Sequence, residues 1–188
     1  MRRLMLGSLA AGVAMWLVGF IFWSPLLSWI PLAAIPDDKA QLVQQALGAN
    51  LGPLGTGTYI IPSATTTAGT VLQANGPVAI VHFTNRGFPA LDSASLIWGM
   101  VLAMGCAFAG ALAMRIVAGG LGFAERIRLV AFFAVAVAGY SDLSQPIFNH
   151  APWGFFLYLF VSHVLTWVAA GAVLARFMDY PEGPPEYD

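Results

Sequence analysis

Four long apolar runs separated by polar breaks set the pattern of this chain: Leu4–Trp23, Leu96–Val117, Leu129–Gly139 and Phe155–Leu174. A hydrocarbon core of about 30 Å takes about 20 residues of helix. The third run is strictly apolar over only about half that length. To span, it must carry Tyr140, Ser141, Asp142, Ser144 and Gln145 at its far end. The pattern therefore predicts a membrane all-α fold, a four-transmembrane-helix bundle with spans at 1–30, 94–118, 123–147 and 153–177. Ser24-Pro25 should kink or end the first span, because proline withholds an N–H from the ladder.

Residues 31–93 read differently, as a small extracytoplasmic α+β lobe between the first two spans. Asp37 is placed to cap a short amphipathic helix carrying Leu42, Val43, Ala46 and Leu47, with Gly48 as its stop. Thr58–Ile61, Thr70–Gln73 and Val78–Phe83 are β-branched or aromatic runs between Gly, Pro and Asn punctuation, and each is expected to be a strand. A helix laid on this two- or three-stranded sheet is the expected form. About sixty residues seldom bury enough to stand alone, so the lobe is expected to rest on the membrane surface or on a partner.

Composition supports the lipid setting. The chain has 188 residues, 59% hydrophobic and 9% charged, where soluble domains run near 25% charged; mean hydropathy is +0.75. The net charge of −1 carries no nucleic-acid signal. The single cysteine, Cys106, lies inside an apolar run and reads as a packing residue. The first run is longer than a secretory signal's apolar core and contains Trp16 and Trp23, so it reads as a retained span.

Charge sets the orientation. In a four-span arrangement Arg2, Arg3, Arg115, Arg126, Arg128 and Arg176 fall on one side, and only Lys39 and Arg86 on the other. The positive-inside rule then places both termini in the cytoplasm and residues 31–93 outside. Trp29, Trp98 and Trp153 fall at the outer interface. The proline-rich acidic segment 179–188 reads as a disordered tail.

The chemistry within the spans is sparse. Asp142, Gln145, Tyr158, Ser162 and His163 form a candidate polar intramembrane cluster. Counting from Pro146, Asp142 lies about 6 Å below its helix end, and His163 about 15 Å below the start of the last helix. A path from Asp142 through Tyr158 or Ser162 to His163 is sterically allowed. The alternatives are an interfacial carboxylate and a core histidine bonded to a carbonyl. His150 and His163 stand too far apart to ligate one haem within a chain, which leaves only a haem shared between two chains. Gly99, Ala103, Ala107 and Ala111 recur every fourth position in the second span, as do Gly105, Ala109 and Ala113. Such faces let helix backbones approach, either within one bundle or between chains. No HExxH, phosphate loop or nucleophile elbow occurs, and neither a metal site nor a cofactor is expected.

The layout, with Gly57-Thr58-Tyr59-Ile60-Ile61-Pro62 in the lobe, a later Gly76-Pro77 strand and then three spans, resembles an uncharacterised group of small four-span bacterial inner-membrane proteins. The resemblance implies bacterial origin and this architecture, and it transfers no functional residue. Three functions remain open. One is a non-enzymatic accessory, structural or assembly protein whose partners are the lipid bilayer and other membrane proteins or further copies of itself. Another is a small transporter or proton-conducting bundle using Asp142 and His163. The third is an enzyme acting on lipid at the outer interface.

Overall fold

The computed structural model describes residues 2–177. It is mostly helical, with four helices long and apolar enough to cross a membrane: α1 (Arg2–Trp23), α4 (Ser93–Val117), α5 (Phe123–Asn149) and α6 (Trp153–Phe177). Between α1 and α4 lie α2 (Asp37–Leu51), β1 (Gly57–Ile61), α3 (Thr67–Asn75) and β2 (Ala79–Phe83). The chain divides into two compact units, one holding the four long helices and the other residues 34–92. The acidic C-terminal segment lies outside the described residues.

In the helical unit, α1 packs between α4 and α6, and α5 packs on the other side of α6. Small side chains fill the interior. Ala11, Ala107, Ala111, Ala118 and Ala170 are fully buried, while Leu17, Leu102, Phe132, Phe133 and Val137 face outward. Lipid tails are as apolar as leucine, so nothing drives large apolar side chains inward, and close approach of backbones decides the packing. A Cβ on Gly12 would fall 2.5 Å from the Cα of Met104, and one on Gly171 would fall 2.8 Å from Cγ1 of Val130. Gly12 therefore sets the α1–α4 approach, and Gly171 the α5–α6 approach. The Trp16 indole N–H donates to the Leu96 carbonyl at 3.1 Å, fixing the other end of the α1–α4 pair. Cys106 is half-buried against the same core.

Helix ends follow local chemistry. α1 stops at Trp23, where Ser24 Oγ donates to the Ile21 carbonyl at 2.8 Å and Pro25 follows. At the start of α5, Glu125 Oε2 accepts from the Gly122 N–H at 2.8 Å, returning a carboxylate to the positive helix end. The far end of α5 corrects the sequence reading. The helix runs through Pro146 and closes only at Asn149, where His150 adopts a left-handed conformation (φ 51°) and caps onto the Gln145 carbonyl. Asp142 thus lies about 10 Å below the helix end rather than about 6 Å.

In the second unit β1 and β2 form an antiparallel pair with Tyr59 opposite Val81 and Ile60 opposite Ile80. Four expectations fail here. Thr70–Gln73 is not a strand but the middle of α3, because Thr66 Oγ1 accepts from the Gly69 N–H at 3.0 Å and Gly76 closes the helix at φ 64°. Asp37 is the first residue of α2 instead of its cap, which is Pro36, and α2 continues past Gly48 to Leu51. Nor does α2 lie flat on the sheet, since an open cleft separates Val43 and Leu47 from Val81, Phe83 and Phe88. The unit is held instead by polar staples. Asn85 Nδ2 donates to the Gly52 carbonyl at 3.0 Å, and the Tyr59 hydroxyl donates to the Gly55 carbonyl at 2.8 Å. Leu51 is its one buried large hydrophobic side chain among the described residues, while Leu42, Ile60, Val71, Leu72 and Ile80 are exposed.

Candidate functional site

One face of α5 reads Ala134, Ala138, Asp142, Pro146, all buried and each one turn from the next. The alanines bring α6 close, and Gly139 beside them lies against the Phe160 ring. On α6 the residue that meets Asp142 is His163. Its Nδ1 stands 2.7 Å from Asp142 Oδ2. A neutral ring donates its Nδ1–H to the carboxylate, and a protonated ring makes an ion pair with it.

The two side chains differ in exposure. Asp142 is 10% exposed and His163 is 47% exposed. The carboxylate is thus sealed between helices, while the imidazole opens on the outer surface of the α5–α6 pair. Nε2 of His163 has no hydrogen-bond partner among the described residues. His163 lies about 15 Å from the start of α6, at the level of the lipid tails if that helix spans.

The rest of the polar cluster is elsewhere. Tyr158 does not bridge Asp142 and His163; its hydroxyl donates to the main-chain carbonyls of Phe22 and Leu27, pinning α6 to the end of α1. Phe22 and Trp23 meet that hydroxyl's ring edge-on, and Phe155 packs on Trp23 in turn. Gln145 Oε1 accepts from Asn149 Nδ2 at 2.7 Å, one turn nearer the helix end. Ser162 is buried, a residue from His163 but about 100° around the helix. Ser141 and Ser144 donate to carbonyls of their own helix. Of the five residues, the structure joins only Asp142 and His163, in direct contact with nothing between them.

The small-residue faces of α4 separate in the same way. Ala107 and Ala111 are fully buried and Ala103 packs against the same core, with Gly99 beside Trp16. Gly105 and Ala109 face outward, and a Cβ on Gly105 would meet nothing within 4 Å. The glycines that bring backbones together, Gly12 and Gly171, escaped the sequence reading. Their signal was present, since Ser8 and Gly12 repeat the same four-residue spacing in α1.

The described residues hold no cluster of three or more His, Cys, Asp or Glu side chains able to take a metal ion. Comparison of the chain with protein-family models, with curated proteins and with solved structures finds no match.

Proposed function

We propose that this is a non-enzymatic multi-pass membrane protein that assembles with other membrane proteins. The observation that carries the reading is the half-exposed His163 ring, backed by a sealed carboxylate and aimed out of the bundle. An ionisable residue among lipid tails costs about 2.5–3.5 kcal/mol when charged. Such groups ordinarily face a bundle interior, so one facing outward fits a helix of a partner that completes its hydrogen bonding. The nearly coreless lobe supports the same reading, because exposed Leu42, Ile60, Val71 and Ile80 need a covering surface.

The test is native mass analysis in mild detergent. Wild type is expected to travel as a complex of fixed stoichiometry heavier than the 19.9 kDa chain. His163→Leu should release it while the chain stays folded. A folded, monomeric wild type would overturn the reading.

Proton or ion exchange is the second reading, favoured by the direct 2.7 Å contact of Asp142 and His163. It predicts flux in reconstituted vesicles that Asp142→Asn abolishes. Against it, the contacts of Ser141, Ser144 and Tyr158 end on main-chain carbonyls and pass no proton onward.

The orientation belongs to the same proposal: termini in the cytoplasm and residues 34–92 outside, in a bacterial inner membrane. The packing of Gly7 beside Phe177 and of Val130 beside Gly171 brings the arginine-bearing helix ends to one side of the unit, which supports it. A periplasm-active phosphatase fused after Ala74 should be active and one fused after Gly122 inactive. The reverse pattern would invert the orientation.

A further inference from the structure

In the unit formed by residues 34–92 the sheet stops at two strands. In an antiparallel pair, every second residue of each strand turns its N–H and C=O away from the neighbour. On β2 those outward groups have no partner among the described residues, since its main chain bonds only to β1. Free edges are ordinarily blunted by lysine, proline or a bulge. Ala79–Phe83 contains no lysine or proline and pairs with β1 in unbroken register.

That edge borders the open cleft between α2 and β2, about 670 Å³ in volume. Val81, His82 and Phe83 all line it, although successive side chains of a strand point to opposite faces. Tyr59, which shares a face with Val81 across the pair, does not line it. The cleft therefore follows the free edge of β2 and not a face of the sheet. Its far wall is α2, where Ala40, Val43, Gln44 and Leu47 make one stripe at helical spacing. Arg86 lines the cleft with no carboxylate beside it, and its guanidinium has no partner among the described residues.

We infer that this cleft receives an extended peptide segment of another protein, which adds a strand to β2, lays apolar side chains against α2 and sets a carboxylate at Arg86. Backbone complementarity selects a peptide, because a lipid tail would leave the N–H and C=O groups of the edge unanswered. With α2 as its far wall the cleft is closed to a wider sheet, so a second copy's β2, which carries β1 on its other side, fits poorly. An acidic side chain and a chain-terminal carboxylate answer Arg86 alike. The site stands whether or not the helical unit has a partner, since His163 lies in that other unit.

The test immobilises the full chain in mild detergent and offers it random peptides about ten residues long, with free or amidated C-termini. Retained peptides should alternate apolar and polar residues and carry a carboxylate. Loss of binding on amidation assigns that carboxylate to the C-terminus, and its persistence to an acidic side chain. N-methylation of one alternate set of amides in a retained peptide should weaken binding about tenfold, while the intervening set tolerates it. Val43→Lys, in the α2 wall, should weaken binding about tenfold. Leu42→Lys, exposed on the same helix but outside the cleft, should leave it unchanged. Arg86→Gln should remove the preference for a carboxylate. The assignment is overturned by the absence of any retained peptide, by methylation that acts alike at every amide, or by equal effects of the two lysine variants. A phospholipid that Val43→Lys releases, or a wild-type dimer that it dissociates, would overturn it as well.

Discussion

Gly12→Ala should destabilise the bundle by about 3 kcal/mol, the upper end of ordinary overpacking. A single added methyl would sit 2.5 Å from a main-chain atom of α4, and a backbone cannot rotate out of the way as a side chain can. Relief requires α1 and α4 to separate along a seam that also buries Ala11, Ala107 and Ala111, so these small residues lose their neighbours together. In detergent this corresponds to a fall of about 10 °C in the unfolding midpoint. Gly105→Ala is the matched control, because its new methyl meets open space. That change should be neutral or raise the midpoint slightly, since alanine is the better helix former by about 1 kcal/mol. Equal midpoints for the two variants would mean that α1 and α4 do not meet at Gly12.

Breaking the Asp142–His163 pair from the histidine side should be worse than removing the pair. His163→Leu leaves a carboxylate sealed between α5 and α6 with its nearest donor gone, and stranding one partner of a buried pair costs about 3–5 kcal/mol. Asp142→Leu leaves an imidazole that is already half-exposed at the surface of the unit, which costs less. The double variant replaces both with apolar groups and should recover most of the stability lost by His163→Leu, because a buried pair often contributes little against a hydrophobic substitute. The measurement is a double-mutant cycle on unfolding midpoints, and simple additivity would show that the two side chains do not interact. Because His163→Leu is the variant that should shed a partner, the double variant serves as its more stable counterpart: it too should release the complex.

The apolar runs made four long helices legible, since about 20 apolar residues in lipid have few other solutions. The third span tested that rule, because Tyr140, Ser141 and Asp142 had to be taken inside a helix against their polarity, and α5 does contain them. Asp142 and His163 were legible as candidates, each being costly where it stood. Their contact was not, because it depends on how α5 and α6 are rotated about their axes. That rotation is set by Ala134 and Ala138 on one helix and Gly171 on the other. The same limit explains why Tyr158 looked like a relay member, when its hydroxyl belongs to the end of α1. In the lobe, β-branched Thr70 and Val71 suggested a strand. One cap bond from Thr66 and a stop at Gly76 outweigh that preference, because β propensity reflects a half-buried sheet surface more than an intrinsic backbone choice.

Pro146 has a consequence for hydration. Lacking an N–H, it cannot return a bond to the residue four positions earlier, and that residue is Asp142. The same amino acid therefore brings two acceptors to one level of the bilayer, a side chain answered by His163 and a peptide carbonyl to which its own ladder offers nothing at that position. Substituting the side chain removes only the first. A peptide oxygen without that bond is open to a donor from water or from a neighbouring chain, and replacing the carboxylate leaves this acceptor in place.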